Sequence, residues 1–224
     1  KQEFPAEKCG LNVVFTNNIK PYRTRKVRIL NGAHTALVPV SYLYGIDHVR
    51  ESIEDEVVGA YLKNIIFNEI CPTLDLPKEE LYQFANDVLD RFKNPYLEHA
   101  LISISLNSIS KFKTRVLPTI LEYIKQKKQL PKGLLFSLAA LISFYKGDRN
   151  GEKIQLKDNQ NVIDFFNKQW KTNDIPTIAK STLQNKEFWE QDLTNYEGFL
   201  ETIIGNLEAI MSQGMNRAPV NFKH

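Results

Sequence analysis

The sequence predicts an all-α fold: a multi-helix domain with one short strand at its N-terminal end. Three observations predict it. Apolar residues recur at a period near 3.6 through most of the chain. Pro, Gly and Asn-Pro breaks divide that pattern into segments of helical length. Only one run, residues 11–16, is short, β-branched and aromatic, bounded by Gly10 and by Asn17-Asn18.

That run reads as a strand, and a lone strand needs partners. None is evident downstream, so the expectation is that residues 1–20 are the tail of another, absent domain and that 21–224 form the helical one. Pro21 marks the change. Residues 26–44 place Val27, Leu30, Ala33, Leu37 and Val38 on one face, with Pro39 expected to kink or end the helix. A second helix is predicted over 51–71, closed by Pro72. A third follows Asp75 and Pro77 and runs to about Phe92, with Glu79 and Glu80 suiting the positive end of its dipole. Asn94-Pro95 breaks the chain before a helix over roughly 96–107. A long helix over 110–129 carries Pro118 as a kink. Residues 134–145 are almost wholly apolar and are predicted to be the buried central helix. Residues 146–151 form a polar, glycine-containing loop, and shorter helices are expected over 159–171, 175–183 and about 197–211.

Composition narrows the function. The 224 residues can bury a core without staples, and 42% apolar with 25% charged residues is ordinary for a globular protein. A net charge of +3 is too small to indicate nucleic acid. Cys9 and Cys71 are distant and outside any CxxC, which reads as reduced thiols of a cytoplasmic protein. No 18-residue apolar run predicts a membrane span, and no HExxH or Cys/His cluster predicts a metal. Neither GxGxxG after a strand nor GxxxxGK[ST] occurs, so no dinucleotide or phosphate cradle is expected in this chain.

The chemistry concentrates at Lys26-Val-Arg-Ile-Leu-Asn31-Gly-Ala-His34. On a helix turning about 100° per residue, Asn31 and His34 are near neighbours, and Lys26 lies within roughly a third of a turn of His34. An amine, a carboxamide and an imidazole around one carbon–oxygen bond supply proton transfer, neutral hydrogen bonding and orientation. That equipment suits hydride transfer at a carbonyl, provided a nicotinamide is present. Each residue alone has a plainer reading: a solvated lysine, an Asn-Gly turn, a structural histidine. The basic run Lys20 to Arg28 also fits phosphate contacts, so a non-catalytic helical or nucleic-acid-binding module is the alternative.

The order Lys26-x4-Asn31-x2-His34, preceded by Pro21-Tyr-Arg and followed by Asn94-Pro95 and Ser110-Lys111, resembles the C-terminal domain of the mannitol dehydrogenase family. The strings Arg28-Ile-Leu-Asn-Gly-Ala-His34 and Ser105-Leu-Asn-Ser-Ile-Ser-Lys-Phe-Lys-Thr-Arg-Val-Leu-Pro118 look most like members acting on tagaturonate and altronate. The resemblance implies a helical substrate domain behind an N-terminal Rossmann domain, NAD as cofactor, no metal and a sugar-acid substrate. It makes Lys26 the general acid/base, Asn31 and His34 its companions, and Lys111 a substrate contact. Arg28 and Arg115 are further candidates for substrate binding. Polyol members place an Arg eight residues before the position of Lys111; here that residue is Ser103, which predicts a different pocket. Fructuronate/mannonate or mannitol-type substrates are the alternatives within the class.

Overall fold

A computed structural model of the chain describes residues 10, 13 and 15–215. Its first element is one unbroken helical rod of three parts: α1 (Lys20–Arg25), a π-helical stretch (Lys26–Gly32) and α2 (Ala33–Tyr44). Pro39 does not end it. The residues around Pro39, from Ala36 to Ser41, are all buried, and α2 packs on the central helix, so tertiary burial outweighs the one lost N–H bond. Gly45, at φ 116°, ends the rod in a conformation that other residues rarely adopt.

The helix predicted over 51–71 divides. It becomes α3 (Val49–Glu54), α4 (Glu56–Asn64), a second π stretch (Ile65–Ile70) and a 3₁₀ turn (Cys71–Thr73). Asp55 causes the first break by capping α4, accepting from the N–H groups of Val57 and Val58 at 2.9 and 2.8 Å. Next is α5 (Lys78–Phe92), which buries Leu81, Ala85, Val88, Leu89 and Phe92 at helical spacing.

The predicted helix over 96–107 shrinks to α6 (Leu101–Ile104). Its first half is instead extended and bridged, with Ala100 paired to His48 and the Val49 N–H donating to the His99 carbonyl at 3.0 Å. The long helix over 110–129 is two, α7 (Ser108–Arg115) and α8 (Leu117–Lys127), and Pro118 stands in the first turn of the second, where its missing N–H costs nothing.

Every residue of α9 (Lys132–Phe144) after Lys132 is buried. The loop expected over 146–151 is a two-stranded ribbon, β1 (Asp148–Arg149) with β2 (Glu152–Lys153), turning through Asn150 and Gly151, both at positive φ. The chain finishes with α10 (Gln160–Trp170), α11 (Ile175–Leu183), α12 (Lys186–Trp189), a 3₁₀ turn (Leu193–Asn195) and α13 (Phe199–Gln213).

The architecture is all-α. Helices α2 and α13 pack on α9, and α11 packs on α13, so the hydrophobic centre is a helix sheathed by helices. Buried leucines and isoleucines in α9 each contribute about 1.5–3 kcal/mol. The buried Ser137 hydroxyl is satisfied by donating to the Ala36 carbonyl at 2.8 Å, which also ties α9 to α2. Of the predicted strand, Leu11, Asn12 and Val14 lie outside the described residues; Val13, Phe15 and Thr16 have no regular structure.

Candidate active site

The candidate residues cluster on the π turn. In a π-helix the hydrogen bonds run i→i+5, so residues five apart, such as Lys26 and Asn31, fall on one side. An α-helix would separate that pair. Gly32, at the end of the turn, is a close-approach position: a Cβ there would lie 3.1 Å from the Arg115 carbonyl oxygen, tighter than such carbons usually pack, so glycine lets the end of α7 rest closely against it. Arg25, beside Lys26, anchors the turn to α5. Its guanidinium pairs with Glu80 and lies 4.4 Å from the Phe84 ring centroid and 5.3 Å from that of Tyr22.

His34 sits in the next turn. Its ring stacks on Phe92, with centroids 3.9 Å apart and planes 10° from parallel, and meets His99 edge-on at 5.4 Å. Its Nε2 is buried with no hydrogen-bond partner among the described residues. Burial, with the nearby His99 and Arg115, pushes its pKa down to about 3, so the ring is neutral at working pH. The unfolded chain, near 6.5, binds the proton more tightly than the fold does. The stability tied to a neutral His34 is therefore complete above about 6.5 and is lost as pH falls toward 3. Denaturant midpoints measured between pH 7 and 4.5 are expected to fall more steeply in the wild type than in His34→Gln; equal slopes would contradict this.

From the other side, α7 presents Lys111 and Arg115, one turn apart. Lys111 donates to the Ile104 carbonyl at 2.8 Å, closing the end of α6. Its pKa is lowered by desolvation and by Arg115, and Asp158 works against both. Burial also lowers the Arg115 guanidinium. Asp158 is engaged elsewhere: Oδ2 accepts from the Tyr145 hydroxyl and, at 3.4 Å, from the Ile109 N–H.

The structure thus brings His34 close to His99 and Arg115, with Lys111 near Arg115. Lys26 is exposed, its side chain makes no hydrogen bond or ion pair among the described residues, and nothing there joins its amine to the imidazole. The Asn31 carboxamide is half-buried and also unpartnered among them, while the Asn31 carbonyl accepts from the Thr35 hydroxyl at 2.8 Å. Arg28 faces elsewhere. It donates to the Arg115 carbonyl at 3.5 Å and lines a separate cavity of about 670 Å³ with Thr24, Thr73, Asp75, Thr119 and Glu122. With Arg25 and Arg28 turned inward, the basic run 20–28 does not form one continuous exposed stripe. The Phe92 stack escaped the sequence reading because nothing local signals it.

No group of three or more His, Cys, Asp or Glu side chains that could hold a metal ion occurs among the described residues. None of the described helices is long and apolar enough to cross a membrane.

The sequence profile of the mannitol dehydrogenase C-terminal domain matches residues 18–211. The altronate oxidoreductase of Enterobacter sp. (strain 638) is 47% identical over 221 residues, covering 96% of this chain and 46% of that protein. That of Escherichia coli O139:H28 (strain E24377A / ETEC) is 44% identical over the same shares. The chain spans about half the length of the curated relatives it matches. Among solved structures, the Pseudomonas fluorescens mannitol 2-dehydrogenase ternary complex with NAD and D-mannitol superposes with a TM-score of 0.85 at 24% identity, covering 97% of this chain and 43% of the other. A substrate-free D-sorbitol dehydrogenase gives 0.80 at 22%, covering 96% and 43%. These two share the fold.

Proposed function

The chain belongs to the mannitol dehydrogenase C-terminal domain family, and from that premise we propose that it is the substrate-binding, proton-transferring part of a cytoplasmic, NAD-dependent sugar-acid dehydrogenase. The reaction is the reversible reduction of tagaturonate to altronate. In this reading residues 1–20 end a nucleotide-binding domain and 21–224 form the helical one. The described residues contain no strand–turn–helix cradle for a dinucleotide, and their sheet is a ribbon of two strands, two residues each. They do not fit the nucleotide, so this reading assigns its cradle to the other domain and derives no step from nucleotide contacts.

The observation that carries the reading is the buried Nε2 of His34, without a hydrogen-bond partner among the described residues, on the same helical rod as an Asn31 carboxamide that has none among them either. Buried polar atoms in native folds are nearly always satisfied, and an orphan invites a ligand. NAD, when bound, supplies or accepts the hydride. During reduction Lys26, as ammonium, gives its proton to the ketone oxygen, and in oxidation the neutral amine takes the hydroxyl proton back. Asn31 donates to the oxygen as it gains charge. His34, held neutral and fixed by Phe92, orients the same oxygen or its neighbouring hydroxyl. In this reading a second domain closes over Lys26, and the exposure of that residue supports it.

Steady-state assays of the full-length protein with NADH and tagaturonate, fructuronate or fructose test the reading. Tagaturonate is expected to be the best substrate. Preference for one of the others would move the protein to a neighbouring specificity, and turnover of none would favour the non-catalytic module. Asn31→Ala should lower kcat by about 10²–10³-fold with a smaller change in KM. A change in KM alone would assign Asn31 to uniform binding.

A further inference from the structure

The cluster around His34 carries more positive charge than its own fold neutralises. Lys111 and Arg115 stand one turn apart on α7, and α7 packs on both the π turn and α2. The one carboxylate acting on Lys111, Asp158, already accepts from Tyr145 and Ile109. Lys111 spends one of its three donors on the end of α6. Arg115 has no acidic partner among the described residues, and its guanidinium is only half-buried. Its main chain, in contrast, is fixed: the carbonyl lies against Gly32 and accepts from Arg28. A planar cation held on a rigid backbone, beside a neutral imidazole and a pinned ammonium, is suited to a carboxylate, which its fork binds through two parallel hydrogen bonds.

We propose that Arg115 reads the substrate carboxylate and makes this site select sugar acids over neutral polyols. This rests on the dehydrogenase reading above. Lys111 supports the same charge but serves chiefly to hold α6. A neutral polyol offers the half-buried guanidinium no such pair, so discrimination comes from the contact made only with the acid.

The test uses the full-length protein with NADH and two ketones: tagaturonate, and the matching ketohexose with a hydroxymethyl group in place of the carboxylate. Arg115→Met should lower kcat/KM for the acid by about 10²–10³-fold, mainly through KM, and change the neutral sugar by no more than a few-fold. Arg115→Lys, a point charge without the fork, should recover part of the loss. Equal losses on both substrates, or an unchanged ratio, would overturn the proposal. Should Arg115→Met not fold, the Arg115→Lys ratio decides alone: an unchanged acid preference and KM would refute it. A wild type that prefers the neutral sugar would sink the carboxylate role and leave the dehydrogenase reading standing. A wild type that reduces neither would remove both.

Discussion

Lys26→Ala in the full-length protein is expected to lower kcat by about 10²–10⁴-fold without a change in folding. The two halves of that expectation come from different observations. The loss follows from removing the group proposed to protonate the ketone oxygen, an interaction made in the transition state, so kcat and kcat/KM should fall together. The unchanged folding follows from exposure: the side chain makes no hydrogen bond or ion pair among the described residues, and exposed substitutions of this kind usually stay within about 0.5 kcal/mol. Lys26→Arg should be nearly as slow, because a guanidinium keeps its charge but does not give up a proton. Thermal midpoints and steady-state rates on both variants check the pair of claims. Near-normal turnover in Lys26→Ala would end the role.

The largest stability effect is expected away from the site, at Glu69. This carboxylate is buried at the end of the second π stretch and receives the Gly133 and Leu134 N–H groups at 2.8 Å each. It caps the first turn of α9, where N–H groups have no partner within the helix. Glu69→Ala strands both donors inside the protein, at a cost of roughly 2–6 kcal/mol, about 1–3 kcal/mol for each. Glu69→Gln keeps an acceptor for one of them and should cost about half as much. Gly133 leaves no room for repair by added bulk, since a Cβ there would come within 2.5 Å of the Ile65 Cγ2. Burial pushes the Glu69 carboxyl up from 4.5 to about 7, against the pull of the two N–H bonds. The fold then holds that proton more tightly than the unfolded chain, so this contribution is full below about 4.5 and is lost as pH rises through 7. Urea midpoints should drop between pH 6 and 8 in the wild type and less in Glu69→Gln. An alanine variant as stable as the wild type would contradict the capping role.

Much of the fold was legible in the chain. The apolar run that became α9, the Glu79-Glu80 start of α5 and the break near Pro118 are local signals, and the structure places elements where they point. The misses are also physical. An i→i+5 turn leaves the same coarse apolar period as an α-helix, so the π character of residues 26–32 does not show in the spacing. That turn nevertheless decides which side of the rod Lys26 and Asn31 share. Asp55 was readable as a helix cap before Glu56, and a helix drawn over 51–71 overrode it. The extended path of 96–100 depends on pairing with His48, a contact across the fold that no window of sequence contains. For the site, the residue types were legible and their company was not. Phe92, His99 and Arg115 reach His34 from three other segments. Arg28, adjacent in sequence to the catalytic candidates, faces a different cavity.

Chemical rescue of Lys26→Ala tests the proton-transfer assignment most directly. Small primary amines added to the full-length variant, with saturating NADH and tagaturonate, should restore turnover in proportion to their concentration, more strongly for compact amines than for bulky ones. Turnover that is indifferent to every amine, in a variant that still binds both substrates, would contradict the assignment of Lys26 as the group that moves the proton.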